Sequence, residues 1–193
     1  MSGIIVDIGT GDGTFVYKLA KKHPDRLFIG IDPNHTNLVD TSSKIYKKPQ
    51  RGGLKNAFYI LASVEALPDE LVGIANQVFI NYPWRSLLAG IVKCDKKVWK
   101  NIKKICKKGA FVDLIIGYDK KRDISEIKRL ALPDFDEAYI RDVMTPRLQQ
   151  LGFRHIHTTV LSKERLAQIP TKWSKKHAFG KNRTFFNIRL EST

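Results

Sequence analysis

Seven residues near the N-terminus, Asp7-Ile8-Gly9-Thr10-Gly11-Asp12-Gly13, constrain the fold more than any other stretch. They follow the β-branched run Ile4-Ile5-Val6 and precede Phe15, Val16, Leu19 and Ala20, apolar at helical spacing, with Lys18, Lys21 and Lys22 on the opposite face. A buried strand that turns at once into a helix needs glycines for left-handed backbone, and they also let a ligand approach the main chain closely. A second apolar run, Leu27-Phe28-Ile29-Gly30-Ile31, ends at Asp32, and Pro24 closes the helix between the two runs. This is a βαβ unit with parallel, buried strands.

The pattern continues along the chain. A helix is predicted over about residues 33–48, a turn at Arg51-Gly52-Gly53, and strands over residues 58–62 and 77–80. Val98, Ile102, Ile105 and Cys106 mark one face of a further helix whose other face carries Lys96, Lys97, Lys100, Lys103, Lys104, Lys107 and Lys108. Gly109 is expected to end it before a strand over residues 110–116. Beyond Gly117 come a polar stretch, a helix over residues 143–151 and strands near 153–161 and 183–190. Alternating βα units followed by a strand pair predict an α/β protein: an open, mostly parallel sheet with one antiparallel strand, in a single domain over residues 1–193.

Composition narrows the partners. With 34 Lys+Arg against 19 Asp+Glu the net charge is +15, which attracts polyanions, and 42% apolar residues exclude a disordered basic tail. Cys94 and Cys106 have no His or Cys at ligand spacing, so neither a metal site nor a disulfide framework is expected, and a reducing cytoplasm is the expected location. No apolar run is long enough for a membrane span and no secretory leader is visible, so no membrane partner is expected.

The loop specifies a cofactor class. Dinucleotide enzymes use G-x-G-x-x-G, whereas here the spacing is G-x-G-x-G with an acid in front, the signature of S-adenosylmethionine methyltransferases, whose ligand has no pyrophosphate to seat on the helix N-terminus. Asp32 stands where a carboxylate accepts hydrogen bonds from both ribose hydroxyls. Asp7, Gly9, Thr10, Gly11 and Pro33 belong to the same cofactor set, and Ser63, Val64 and Glu65 follow the third strand, where such enzymes contact the adenine ring. The bland alternatives are a tight βα turn without a ligand and, for Glu65, a helix N-terminal acid.

Asn81-Tyr82-Pro83-Trp84 follows the fourth strand, at the strand ends where open α/β sheets bind ligands. Methyltransferases of base amino groups carry N-P-P followed by an aromatic there, and the match is partial because the first proline is missing. Trp84 is read as a base-stacking ring, against the alternative of a core residue. Trp99, on the Lys-rich helix, is expected to pack or snorkel. A second segment, Thr171-Lys172-Trp173-Ser174-Lys175-Lys176-His177-Ala178-Phe179-Gly180-Lys181-Asn182-Arg183, mixes aromatics and cations without an acid, the composition of an RNA contact surface. The alternative is a solvated basic helix end with Phe179 in the core; His177 is expected to be a surface or capping residue rather than a ligand.

The stretches DIGTGDG, YKLA, FIGIDPNHTNL, KKPQRGGLKN, ASVEALP, PW after the fourth strand, and KW…AFGKNRTFF together resemble the 16S rRNA adenine-1408 N1-methyltransferases of aminoglycoside resistance, the Npm and Kam type, over nearly the whole chain. The resemblance implies a class I, Rossmann-like methyltransferase with a seven-stranded sheet, S-adenosylmethionine as donor, and 16S rRNA within the 30S subunit as substrate; a monomer is the default expectation. It implies that Trp84 and Trp173 sandwich the flipped adenine, with Thr171 supplying a small hydroxyl near the site. Lys175, Lys176, Lys181 and Arg183 then hold phosphates, with Arg85 adding a contact of this chain's own. Asp7, Gly9, Asp32, Ser63, Val64 and Glu65 become cofactor contacts, with Asn81 beside them. The family carries an N-terminal β-hairpin before the first strand, which here begins almost at Met1. The rival enzyme is a tRNA guanine-N7 methyltransferase, which expects F-P-D-P-W where this chain has no Asp. A noncatalytic RNA-binding protein of the same fold is the alternative from a different class.

Overall fold

The computed structural model describes residues 2–180 and 183–193. Strand β1 (Ile4–Ile8) lies between β2 (Leu27–Asp32) and β4 (Ala75–Asn81), and β3 (Ala57–Leu61) pairs with the outer side of β2, all in parallel. The sheet continues through β5 (Cys106–Ile116), β7 (Phe186–Ser192) and β6 (Phe153–Val160), in the order β3-β2-β1-β4-β5-β7-β6. Only β7 runs against its neighbours, so the sheet has the predicted form.

Side-chain alternation divides the core between the two faces of the sheet. Ile5 joins Val16 and Ala20 of α1 (Thr14–Lys22), Ile45 of α2 (His35–Ile45), Phe28 and Ala57 on one face. Val6 and Ile8 join the larger cluster on the other, under α3 (Arg85–Val92) and α4 (Lys96–Ile105). Helix α4 begins at Asp95, whose carboxylate accepts from the N–H groups of Lys97 and Val98, at 2.9 and 3.0 Å. Its Val98, Trp99, Ile102 and Ile105 are buried while Lys96, Lys97, Lys100 and Lys104 face solvent. Trp99 is fully buried, edge-on to Phe153 at 5.1 Å, with its indole N–H donating to the Ile91 carbonyl at 3.2 Å.

The structure corrects several boundaries. Gly109 does not end α4; the helix stops at Ile105, and Cys106 already pairs with Ala75 in β5. Between Cys106 and Phe111 the strand gains residues that Asn76 alone faces, and Gly109 (φ 79°) supplies the left-handed backbone of that bulge. The helix expected at 143–151 is shorter. A turn Glu137–Tyr139 (α6) runs through a π-helical stretch, Ile140–Met144, into α7 (Thr145–Gln150). Helices α5 (Ile124–Leu130), α8 (Lys163–Gln168) and α9 (Lys172–Ala178) complete the connections. Among the described residues no helix is long and apolar enough to cross a membrane.

Trp99→Ala is expected to lower the unfolding free energy by about 3–5 kcal/mol in urea titrations, because the cavity cannot close between a rigid sheet and a rigid helix. A loss under about 1 kcal/mol would contradict this account of the core.

Candidate active site

The chain order places the C-terminal ends of β1, β2 and β4 side by side where the connections reverse direction, and a crevice opens at such a point. Asp7, one residue from the end of β1, is buried, and its carboxylate accepts from the Asn81 amide N–H at 3.3 Å. Burial pushes the Asp7 carboxyl up to about 7, against Thr10 and Asn81, which favour the charged form, and with Asp32 adding to the rise.

The glycine loop is held at both ends. Asp32 accepts from the N–H of Gly11 through one oxygen and of Asn34 through the other, each at 2.9 Å, while the Tyr59 hydroxyl donates to the Gly13 carbonyl at 2.8 Å. Glycine is required at two points. At Gly9 (φ 73°) a Cβ would come within 2.5 Å of Leu87 Cδ2, and at Gly13 (φ 70°) within 2.5 Å of the Tyr59 ring.

Above the loop lies a cavity of about 270 Å³ that brings together Asp7, Gly9, Thr10, Gly11, Asn81, Thr171 and Trp173 of the expected set. It also includes Asp12, Phe15, Asn37, Tyr82 and Lys172, which the sequence reading did not single out. Asp12 was visible inside the glycine motif, but its partner was not: Lys172 Nζ reaches it at 2.7 Å from the far end of the chain. The Asn81 amide oxygen is buried without a partner among the described residues, so this end of the cavity offers two acceptors, Asp7 and Asn81, to a cation bearing N–H groups. Asp32, Pro33, Ser63, Val64 and Glu65 do not line this cavity. They stand at the ends of β2 and β3, where the Val64 carbonyl accepts from the Asn101 amide at 2.9 Å.

A second cavity of about 320 Å³ adjoins the first, and Tyr82 and Trp173 line both. Trp84, Trp173, Lys176 and Arg183 meet there, with Asp123, His177 and Phe185. Trp84 and Trp173 are 44% and 55% exposed, so neither is a core residue. His177 is neither a surface nor a capping residue. It stacks on Trp173 (5.8 Å between centroids, 20° between planes) and contacts Tyr82 and Phe185, and burial followed by the nearby Arg183 and Lys176 charges pulls its pKa down to about 4. Lys176 Nζ lies 4.8 Å from the centre of the Trp173 ring.

Phe179, just past the end of α9, is 85% exposed rather than in the core. Arg183 is engaged by Asp123 at 2.9 Å, with both side chains largely buried. Lys175 and Arg85 line neither cavity, and Arg85 lies beside Glu126, whose carboxyl is held below its ordinary value chiefly by Arg129. Lys181 lies outside the described residues.

The family profile described as NpmA: 16S rRNA (adenine(1408)-N(1))-methyltransferase matches residues 1–191. A relative from Escherichia coli, a 16S rRNA (adenine(1408)-N(1))-methyltransferase, is 38% identical over 184 residues, 95% of this chain and 84% of the relative. Among solved structures, an antibiotic-related methyltransferase superposes with a TM-score of 0.86 at 33% identity, covering 98% of this chain and 87% of its own. A tryptophan-to-alanine variant of the 16S rRNA (adenine(1408)-N(1))-methyltransferase from Catenulisporales acidiphilia, with its cosubstrate SAM, gives 0.89 at 27% identity, covering 100% of this chain and 86% of its own.

The raised pKa of Asp7 has a cost in stability. In the folded chain the carboxyl keeps its proton to about pH 7 against an ordinary 3.8, so the folded state binds more protons in between, and stability falls as pH rises through that window. Asp7→Asn is expected to abolish this fall, raising the unfolding free energy at pH 8 by about a few kcal/mol and with it the urea midpoint. An unchanged or lower midpoint at pH 8 contradicts it.

Proposed function

Because this chain belongs to the family of 16S rRNA (adenine(1408)-N(1))-methyltransferases, we propose that it methylates N1 of adenine 1408 of 16S rRNA in the assembled 30S subunit. We propose further that it does so as a cytoplasmic monomer whose single domain spans residues 1–193, and that the methylated subunit resists aminoglycosides. The observation that carries the reading is the pair of exposed tryptophans, Trp84 and Trp173, in a cavity that opens onto the one above the glycine loop.

The donor is S-adenosylmethionine, as in the related structure that contains it, and when bound it supplies an electrophilic methyl group on a sulfonium. The residues present fit it. Asp7 and the unpartnered Asn81 oxygen suit its ammonium end, and the backbone of Gly9, Thr10 and Gly11 leaves room for its chain. Each Asp32 oxygen accepts one backbone N–H and retains capacity for a ribose hydroxyl. Pro33, Ser63, Val64 and Glu65 then border the adenine of the donor.

Adenine N1 has an in-plane lone pair, so methylation there needs no strong base, and the Tyr82 hydroxyl, which burial pushes up to about 12, keeps its proton at neutral pH. What the site provides is position. Trp84 and Trp173 hold the flipped ring on its two faces, and as the purine becomes cationic each indole stabilises it by about 1 kcal/mol or more once water is excluded. Lys175, Lys176, Lys181, Arg183 and Arg85 hold the phosphates on either side, with Asp123 orienting the Arg183 guanidinium. Thr171 caps α9 and so places Trp173.

Tritiated donor offered in parallel to 30S subunits, naked 16S RNA and bulk tRNA is expected to label 30S subunits, with a reverse-transcription stop at adenine 1408. Label confined to tRNA would overturn the 16S rRNA reading and favour the guanine-N7 reading instead. Trp84→Ala and Trp173→Ala are each expected to cut transfer at least about tenfold while calorimetric donor affinity stays nearly constant. Asp32→Ala is expected to weaken donor binding first. Loss of donor binding in the tryptophan variants would remove the role assigned to them.

A further inference from the structure

We propose that Tyr82, Ser174 and Thr171 form a hydroxyl strut that sets the gap between Trp84 and Trp173, making Tyr82 a positioning residue for methyl transfer. The proposal rests on the reading of those tryptophans as the two plates that hold the base. Tyr82 stands two residues before Trp84, and Ser174 directly follows Trp173. The Ser174 hydroxyl donates to the Tyr82 hydroxyl at 2.9 Å and lies 2.6 Å from Thr171 Oγ1, which also accepts the Ser174 N–H at 2.8 Å as the cap of α9. Ser174 is fully buried and Thr171 nearly so, so water does not compete for these bonds.

The other end of the strut is anchored. The Tyr82 N–H donates to the Ile115 carbonyl of β5 at 2.8 Å, and the ring sits edge-on to Phe185 at 5.2 Å. Helix α9 has seven residues, of which Ser174 and Ala178 are buried, so apolar packing alone holds it weakly. An apolar contact tolerates sliding, whereas a hydrogen bond loses most of its strength with a small change in length or angle. Tyr82 is in left-handed backbone (φ 52°), a conformation that non-glycine residues adopt where the surroundings impose it, and it lines both cavities at their junction.

Tyr82→Phe keeps the ring and removes the bond. It is expected to fold with unchanged melting temperature within a few degrees, bind the donor within about twofold of the parent, and lower kcat on 30S subunits about tenfold. Ser174→Ala is expected to do the same, and the double variant to be no slower than the slower single one, since both remove one link. The chain has three tryptophans, so a ¹H–¹⁵N spectrum of the free protein resolves three indole signals. Tyr82→Phe is expected to shift that of Trp173 and leave that of Trp99, in the larger core, in place. Unchanged kcat in Tyr82→Phe, or additive losses with all indole signals unmoved, would overturn the strut. If the parent protein methylates no ribosomal substrate, the functional reading fails, while the indole spectra still decide whether the strut holds Trp173.

Discussion

At the end of β4 the chain accepts left-handed backbone at Tyr82 (φ 52°) and again at Arg85 (φ 53°), each costing about 1–3 kcal/mol in a residue with a side chain. A regular strand would carry residues 81–84 straight on, sending their side chains alternately to the two faces of the sheet. The break instead keeps Asn81 against Asp7 in the first cavity while Trp84 turns into the second. The cost is offset by the Tyr82 N–H bond to Ile115, the edge-on packing on Phe185 and the hydroxyl bond to Ser174. One short segment thus serves both cavities.

Charge is arranged around this junction in two ways. The chain carries a net +15, yet acids at the cavities meet cations of the C-terminal segment: Asp12 with Lys172, and Asp123 with Arg183. The first pair is open to solvent on the lysine side and contributes little to stability. The second is largely buried, where desolvation offsets much of the attraction, so its consequence is the fixed direction of the guanidinium. Among the described residues Asp7 has no cationic partner. A site ready to receive a positive ligand therefore holds a carboxyl that is costly to ionise in the free protein, so ligand affinity comes at the expense of stability.

Much of the glycine-loop side was legible in the sequence, because it is local. Asp7, the glycines and Asp32 fall within one βαβ unit, where hydrophobic periodicity and turn chemistry report on neighbours a few residues away. The second cavity was legible only as two aromatic-bearing segments. Trp84 and Trp173 belong to elements far apart in the chain, and nothing in either segment's periodicity states that they face one cavity. The resemblance to a known family supplied that pairing. The misplaced end of α4 has a local cause: Lys107, Lys108 and Gly109 suit a helix terminus as well as a bulge, and pairing with β4 decided between them. Helices α5 and α8 are too short and polar to show a periodic face.

By itself the amino-acid sequence determined the order of the strands and of helices α1, α2 and α4, the glycine turn with its two acids, and a basic, aromatic C-terminal segment, since each is written in residue type and spacing. Tertiary structure decided what those parts do to one another. Only the folded chain brings Tyr82 to Ser174, Lys172 to Asp12 and Arg183 to Asp123. It also buries Asp7 deeply enough to move its titration to about 7 and stacks His177 on Trp173. Burial and long-range pairing are properties of the packed sheet, and local pattern carries no distance between residues remote in sequence.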